Sequence, residues 1–168
     1  MAPPPSELIG AAGSRYLLKQ LIQERPNLGR VWLAISGQER VIMQEIPRAV
    51  FSSFNEDIRP RLPESPYRRL PHDTIPNRQI FVYKYMNDDL LSIARTQMSV
   101  RARKQILKAS LPGIAELHNH DIVHLDIKSD NVMVNYHGTG PETMMSGFKL
   151  WILKTQPTSL TGGTLKGC

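Results

Sequence analysis

The sequence predicts an α+β fold, in which short strands come first and helices follow. Apolar runs with strand character, separated by turn sequences at 27–29 and 36–38, cover residues 15–22, 30–35 and 40–46. A further run at 79–86 has the aromatic and β-branched content that strands favour. An amphipathic stretch from Ser99 to His118 then predicts a long helix.

Composition limits the classes of protein to consider. With 168 residues and 40% apolar content, the chain is long enough for one globular domain and too apolar for a disordered protein. The net charge of +6 is spread along the chain. Its only basic clusters, Arg68-Arg69 and residues 101–104, are interpreted as solvated faces, so no nucleic-acid partner is predicted.

The expected location is the cytoplasm or the nucleus. The only cysteine is Cys168, which excludes an internal disulfide and fits a reducing compartment. No apolar run approaches the roughly 20 residues that span a bilayer, so no membrane partner is expected. The first residues lack the basic and apolar regions of a signal peptide.

Local signals predict the remaining elements. Residues 1–13, rich in Pro, Gly and Ala, predict a flexible N-terminal arm. Apolar spacing over residues 50–62 predicts a helix that ends in the region of Pro60 and Pro63. Asn87-Asp88-Asp89 predicts the cap of a short helix that runs through Arg95.

The long helix contains an internal Pro112-Gly113 pair. Proline in a helix interior costs about 3 kcal/mol, so we expect a kink or two shorter helices there. His118 and His120 lack partners at metal-binding spacing and are expected to pack. The apolar side of the helix is expected to comprise Ile106, Leu107, Leu111, Ile114 and Leu117.

A polar loop after this helix carries the main functional signal. It has the pattern H-x-D-x-K-x-x-N, formed by His124, Asp126, Lys128 and Asn131, and an apolar run follows it. The carboxylate can accept a hydroxyl proton, the ammonium can contact a transferring phosphoryl group, and the amide can hold Mg²⁺. A polar turn between a helix and a strand is the simpler alternative. The segment resembles the catalytic loop of eukaryotic protein kinases, H-R-D-L-x-x-x-N.

This resemblance implies a two-lobe kinase fold that uses ATP and Mg²⁺ and phosphorylates Ser/Thr hydroxyls of protein substrates. Asp126 would be the catalytic base, Lys128 would stabilise charge on the γ-phosphoryl group, and Asn131 would bind the metal. His124 would hold the loop in shape. Leu125 replaces the usual arginine, so control by an activation-loop phosphate is not expected. Lys128 favours protein kinases over the aminoglycoside and choline phosphotransferases, which generally lack it.

The resemblance extends upstream to a nucleotide site with two departures. Only the last glycine of the glycine-rich loop is present, as Gly29. Gln44 replaces the lysine of V-A-I-K, and a neutral amide cannot supply the charge-assisted contact to phosphate. In the same register Tyr83 is the gatekeeper. The nucleotide-binding residues implied in this way are Gly29, Val31, Ile42, Gln44, Tyr83, Tyr85 and Met86.

Glu56 lies where the family has the glutamate that pairs with this lysine. Because Gln44 is neutral, that salt bridge is impossible here, and we expect Glu56 to face water. Phe148-Lys149-Leu150 resembles the strand before D-F-G, yet position 152 is isoleucine rather than the metal-binding aspartate.

Spread over about residues 15–150, the match looks most like divergent fungal kinase-like proteins. It implies a small β-rich lobe with the hinge at 14–86, an incomplete helical lobe at 87–150 and an aberrant or diverged tail at 151–168. We therefore expect a truncated kinase domain whose catalysis is impaired. The alternatives are a non-catalytic pseudokinase or interaction module and, third, a small-molecule phosphotransferase.

A shifted reading frame would explain the tail, and a diverged C terminus is the alternative. The Trp151 codon is TGG and isoleucine codons begin with AT, so a frame one nucleotide earlier forces GAT, aspartate, at position 152. Sequencing the transcript across the codons for Leu150 and Trp151 is expected to reveal the frame change. An unbroken frame that ends after Cys168 in every copy would refute it.

Overall fold

The computed structural model describes residues 7–26, 29–95, 99–138 and 144–152, and the backbone of 155–157. The α-helices of this part of the chain are α1 (Arg48–Ser53), α2 (Leu90–Ala94) and α3 (Val100–Asn119). Its strands are β1 (Glu7–Ile9), β2 (Arg15–Arg25), β3 (Gly29–Ser36), β4 (Glu39–Glu45), β5 (Arg68–Arg69), β6 (Asp73–Ile75), β7 (Ile80–Lys84), β8 (Asp88–Asp89), β9 (Ile122–His124), β10 (Val132–His137), β11 (Met144–Trp151) and β12 (Thr155–Pro157).

The N-terminal strands form one antiparallel sheet in the order β1-β2-β3-β4-β7-β6. The four predicted strands are confirmed as β2, β3, β4 and β7. Side chains of β7 alternate between two core clusters, with Ile80 and Val82 in one and Phe81 and Tyr83 in the other. Both faces of this strand are therefore buried, which explains its uninterrupted apolar sequence.

Residues 7–13 belong to this sheet and its edge rather than to the flexible arm expected from the sequence. The Asp73 carboxylate accepts hydrogen bonds from the Tyr16 hydroxyl at 2.8 Å and from the backbone N–H of Ala12 at 3.0 Å. Burial raises the pKa of Tyr16 to about 12, helped by its bond to Asp73. The Asp73 carboxylate that orders this segment is far away in the sequence, so the composition of residues 1–13 could not predict the contact.

The predicted helix at 50–62 is present but irregular. α1 continues into a π-helical turn, Phe54–Ile58, and a 3₁₀ turn, Arg59–Arg61. Phe51 stacks on Phe81 with ring centroids 4.8 Å apart, and Phe54 meets the same ring edge-on at 5.1 Å. Glu56 is exposed, as predicted.

The long helix is a single element, so the expectation of two shorter helices is wrong. Ser99 caps α3 by accepting a bond from the N–H of Ala102 at 3.1 Å, and Pro112 lies inside the helix. Gly113 lets the backbone of Tyr67 pack closely, since an added Cβ would lie 3.1 Å from its carbonyl oxygen. This tertiary packing outweighs the hydrogen bond that Pro112 cannot donate.

The apolar side of α3 is also rotated from the prediction. The buried positions are Ala102, Ile106, Gly113 and Leu117, whereas Leu107 and Leu111 are each 67% exposed. The buried side combines the predicted Ile106 and Leu117 with the small residues Ala102 and Gly113, and Gly113 packs against Tyr67 and Leu150. No helix in the described ranges has the length and apolar character needed to cross a membrane.

A second sheet, in the order β5-β11-β10-β8, lies beside α3, and β9 pairs with β12. One core cluster joins both parts of the molecule, because it contains Phe81 and Tyr83 of the first sheet and Leu117, Leu150 and Ile152 beyond it. Asp89 caps α2 by accepting from the N–H of Ser92 at 2.9 Å, which confirms the predicted cap.

Gly29→Ala tests the turn that starts β3. Gly29 has a φ of 89°, and an added Cβ would clash with the carbonyl oxygen of Glu45. We expect a loss of about 3 kcal/mol in the free energy of unfolding, measured by urea denaturation. Gly37→Ala, at φ 60° with open space around it, should lose only about 1 kcal/mol. Equal losses would contradict this.

Candidate functional site

A cleft of about 520 Å³ lies where the N-terminal sheet faces the polar loop. Its volume is within the range of small-molecule sites, about 300–1,000 Å³. It is lined by all three predicted catalytic residues and by six of the seven predicted nucleotide-binding residues: Asp126, Lys128 and Asn131, with Gly29, Val31, Ile42, Gln44, Tyr85 and Met86. Residues separated by about a hundred positions in sequence are thus brought to one cavity.

His124, the last residue of β9, holds the polar loop. Its Nδ1 accepts a hydrogen bond from the backbone N–H of Asp126 at 3.1 Å, and its Nε2 lies 2.6 Å from the carbonyl oxygen of Trp151. Since Nδ1 accepts, the proton belongs on Nε2, which donates to Trp151. The neutral imidazole therefore joins the start of the loop to the end of β11.

Asp126 and Asn131 are coupled across the loop. The Asn131 side-chain amide donates to the backbone carbonyl of Asp126 at 2.7 Å and to its carboxylate at 3.1 Å. Both bonds use the amide nitrogen, so the amide oxygen of Asn131 is left directed away from Asp126. The arrangement holds a partly buried carboxylate in the cleft.

Lys128 brings a positive charge to the same place. Its Nζ lies 3.1 Å from the Asp130 carboxylate and 3.6 Å from that of Asp126. The hydrogen bond to Asp130 and the charges of both carboxylates raise the pKa of Lys128. The ammonium is therefore charged at neutral pH and is held near Asp126.

Strand β4 contributes no cation to the cleft. Gln44 lines it, and the Gln44 Oε1 atom is buried without a hydrogen-bond partner among the described residues. The neighbouring Glu45 instead pairs with Arg30 through two bonds of 2.8 and 3.0 Å. The charge that a lysine at position 44 would supply is thus absent from this strand.

Tyr83 is the predicted site residue that does not line the cleft. It is 1% exposed and meets the Trp151 ring edge-on, with centroids 5.7 Å apart. Burial raises the pKa of its hydroxyl to about 12. Tyr83 pairs with Ile42, so it lies on the face of the sheet that lines the cleft, but its ring is packed against Arg69 and Trp151, which line the cleft in its place. Tyr85 and Met86, just beyond the strand, reach the cleft.

Ten of the lining residues were not predicted as site residues, and Arg69 and Trp151 are among them. The interpretation of Arg68-Arg69 as a solvated face is wrong, because their exposed fractions are 2% and 4%. Arg68 lies 2.9 Å from the Glu116 carboxylate, which explains how one buried charge is tolerated. A sequence signal for their burial does exist, because the two arginines stand between apolar residues in a short strand and not in a run of charged residues.

The donor groups present do not make a dedicated Mg²⁺ site. Within the described ranges, no group of three His, Cys, Asp or Glu side chains could hold a metal ion. Ile152, where the kinase pattern has its metal-binding aspartate, is 1% exposed and belongs to the core. The amide oxygen of Asn131 is the ligand that the kinase pattern would offer to the ion.

Replacing His124 tests its role in holding the loop. His124→Phe removes both bonds and leaves the Asp126 N–H and the Trp151 carbonyl without this partner, so we expect a loss of about 2 kcal/mol in the free energy of unfolding. His118→Phe, at an exposed position of α3, should stay within about 0.5 kcal/mol of the wild type. Similar values for the two variants in urea denaturation would contradict the role.

Comparison with known protein families gives a match that covers the polar loop. Residues 68–150, just under half of the chain, match the family model of the protein kinase domain. A search of curated proteins found no match. The matched segment runs from β5 to β11 and includes the whole polar loop. Residues 68–150 are therefore similar to a protein kinase domain, and they lie within an α+β structure.

Proposed function

We propose that this chain is a purine-nucleotide-binding protein-kinase-like module whose phosphoryl transfer to protein Ser/Thr hydroxyls is severely weakened. One observation carries the proposal: Asp126, Lys128 and Asn131 line the same cleft as the residues of β3, β4 and the segment after β7. In this interpretation residues 14–86 form the small lobe with the hinge, and 87–150 belong to the helical lobe.

The chemistry of the cleft suits a nucleotide. Val31, Ile42, Met86 and Met133 supply apolar surface for a flat base. Lys128 is charged and suited to the terminal phosphate, while Asp126 is held by Asn131 where it can accept a proton from an acceptor hydroxyl. Bound ATP would supply the phosphoryl group, with Mg²⁺ to neutralise its charge.

Two positions limit catalysis. Gln44 offers no positive charge for the phosphates, and the buried Ile152 offers no oxygen to a metal. Each removes charge stabilisation from a reaction that depends on it almost entirely. The same two observations favour the second candidate, a non-catalytic pseudokinase that binds nucleotide and acts through its partners.

A thermal-shift titration tests the proposal. ATP and GTP are titrated in turn, each with and without Mg²⁺. At one hundred times the dissociation constant, a bound nucleotide is expected to raise the Tm by about 5 °C by mass action. Mg²⁺ should change this shift little, because the described residues complete no metal site. No shift with either nucleotide, at concentrations up to several millimolar, would refute nucleotide binding.

Restoring the charge on β4 tests the effect of Gln44. Gln44→Lys adds an ammonium to the cleft wall, so we expect nucleoside triphosphate affinity to rise about 10-fold in isothermal titration calorimetry. Gln44→Met matches the side-chain length without the charge and should give no gain. A comparable gain in both variants, or in neither, would show that position 44 does not face the phosphates.

A further inference from the structure

Arg69 is a buried cation in the wall of the cleft. It pairs with Trp151 in the parallel register of β5 and β11, and its side chain is 4% exposed. Its guanidinium carbon lies 4.9 Å from the centre of the Tyr83 ring and 5.3 Å from that of Trp151. Two aromatic faces therefore fix the guanidinium at the edge of the cavity.

The hydrogen bonds of Arg69 are incomplete. One terminal nitrogen donates to the backbone carbonyl of Lys84 at 3.1 Å, while the buried Nε has no partner among the described residues. The salt bridges of those residues include Arg68 but not Arg69. Burial lowers the pKa of Arg69 to about 10, which leaves it charged at neutral pH. A charged donor thus lines the cleft without a carboxylate to compensate it.

The location of Arg69 indicates which part of a nucleotide it would meet. The Lys84 carbonyl that it caps comes immediately before Tyr85 and Met86, and both of these line the cleft. Lys128, in contrast, comes from the loop after β9. Under the proposed function the phosphates lie towards Lys128, and the bond of Arg69 to the end of β7 makes its guanidinium the candidate to meet the edge of the base.

We propose that Arg69 makes this cleft select a purine with an oxygen at position 6, guanine or hypoxanthine, over adenine. The inference rests on the proposed nucleotide binding. Arginine N–H groups match the O6 and N7 acceptors of guanine, whereas the 6-amino group of adenine is itself a donor. The bond to the Lys84 carbonyl uses one terminal nitrogen of Arg69 and leaves other guanidinium N–H groups available to such acceptors.

The test compares the affinities of GTP, ITP and ATP by isothermal titration calorimetry on the full chain. In the wild type, GTP and ITP are expected to bind about 10-fold or more tightly than ATP. ITP has the 6-oxygen without the 2-amino group of guanine, so it isolates the contact that Arg69 would make. Wild-type affinity for ATP equal to or above that for GTP and ITP would overturn the proposal while leaving nucleotide binding in place.

The substitution Arg69→Met removes the donors, so it should lower the affinity for GTP and ITP to about that for ATP. Arg30→Met is the matched control, because Arg30 also lies over an aromatic ring, Trp32, but does not line the cleft. The Arg30→Met variant should keep the wild-type order of affinities for GTP, ITP and ATP. An unchanged ranking in a folded Arg69→Met variant would overturn the role of Arg69.

Circular dichroism checks the fold of each variant. If Arg69→Met does not fold, the wild-type ranking of the three nucleotides decides the question by itself. If none of the three binds the wild type, the proposed function fails and this inference fails with it.

Discussion

The arrangement of the cleft depends on one imidazole, that of His124. It joins the backbone N–H of Asp126 to the backbone carbonyl of Trp151, and so holds the polar loop against the end of β11. The core fixes both ends of this connection, since Ile122 in the strand of His124 and Leu150 beside Trp151 are buried in the same cluster. The ring of Trp151 in turn contacts Tyr83 and Arg69. One link therefore sets the positions of the carboxylate, the aromatic wall and the buried cation.

The positive charges of the cleft come from three separate elements. They are Arg25 at the end of β2, Arg69 in β5 and Lys128 in the polar loop, whereas β4 contributes the neutral Gln44. The neighbouring buried arginine, Arg68, is neutralised by Glu116 at 2.9 Å and serves to attach β5 to α3. Two adjacent arginines thus do different things, one closing a structural ion pair and the other facing a cavity. Arg69 is the unusual one of the two, because a buried cation without a neighbouring carboxylate lowers the free energy of unfolding.

Much of the fold follows from the sequence because its signals are local. Apolar runs between turn sequences predicted β2, β3 and β4, and aromatic and β-branched content predicted β7. Asp89 was among the residues predicted to cap α2. The loop from His124 to Asn131 carries its chemistry within eight residues, so its three polar groups were predictable as a set. Their convergence with Val31 and Ile42 was expected only through the family resemblance.

The errors concern residues whose environment comes from distant parts of the chain. Pro112 sits in an unbroken helix because Gly113 admits the Tyr67 backbone, a contact that no helical pattern reports. Arg69 is buried because Trp151 and Tyr83, far away in sequence, enclose it. Local composition marks an arginine as exposed, and only tertiary pairing overrides that preference.

The most direct measurement is a crystal structure of the chain with a non-hydrolysable purine nucleoside triphosphate. The account predicts the base between the apolar side chains of Ile42 and Met133, with the terminal phosphate facing Lys128 and Asp126. A nucleotide bound elsewhere, or Asp126, Lys128 and Asn131 directed to separate sides of the molecule, would contradict it.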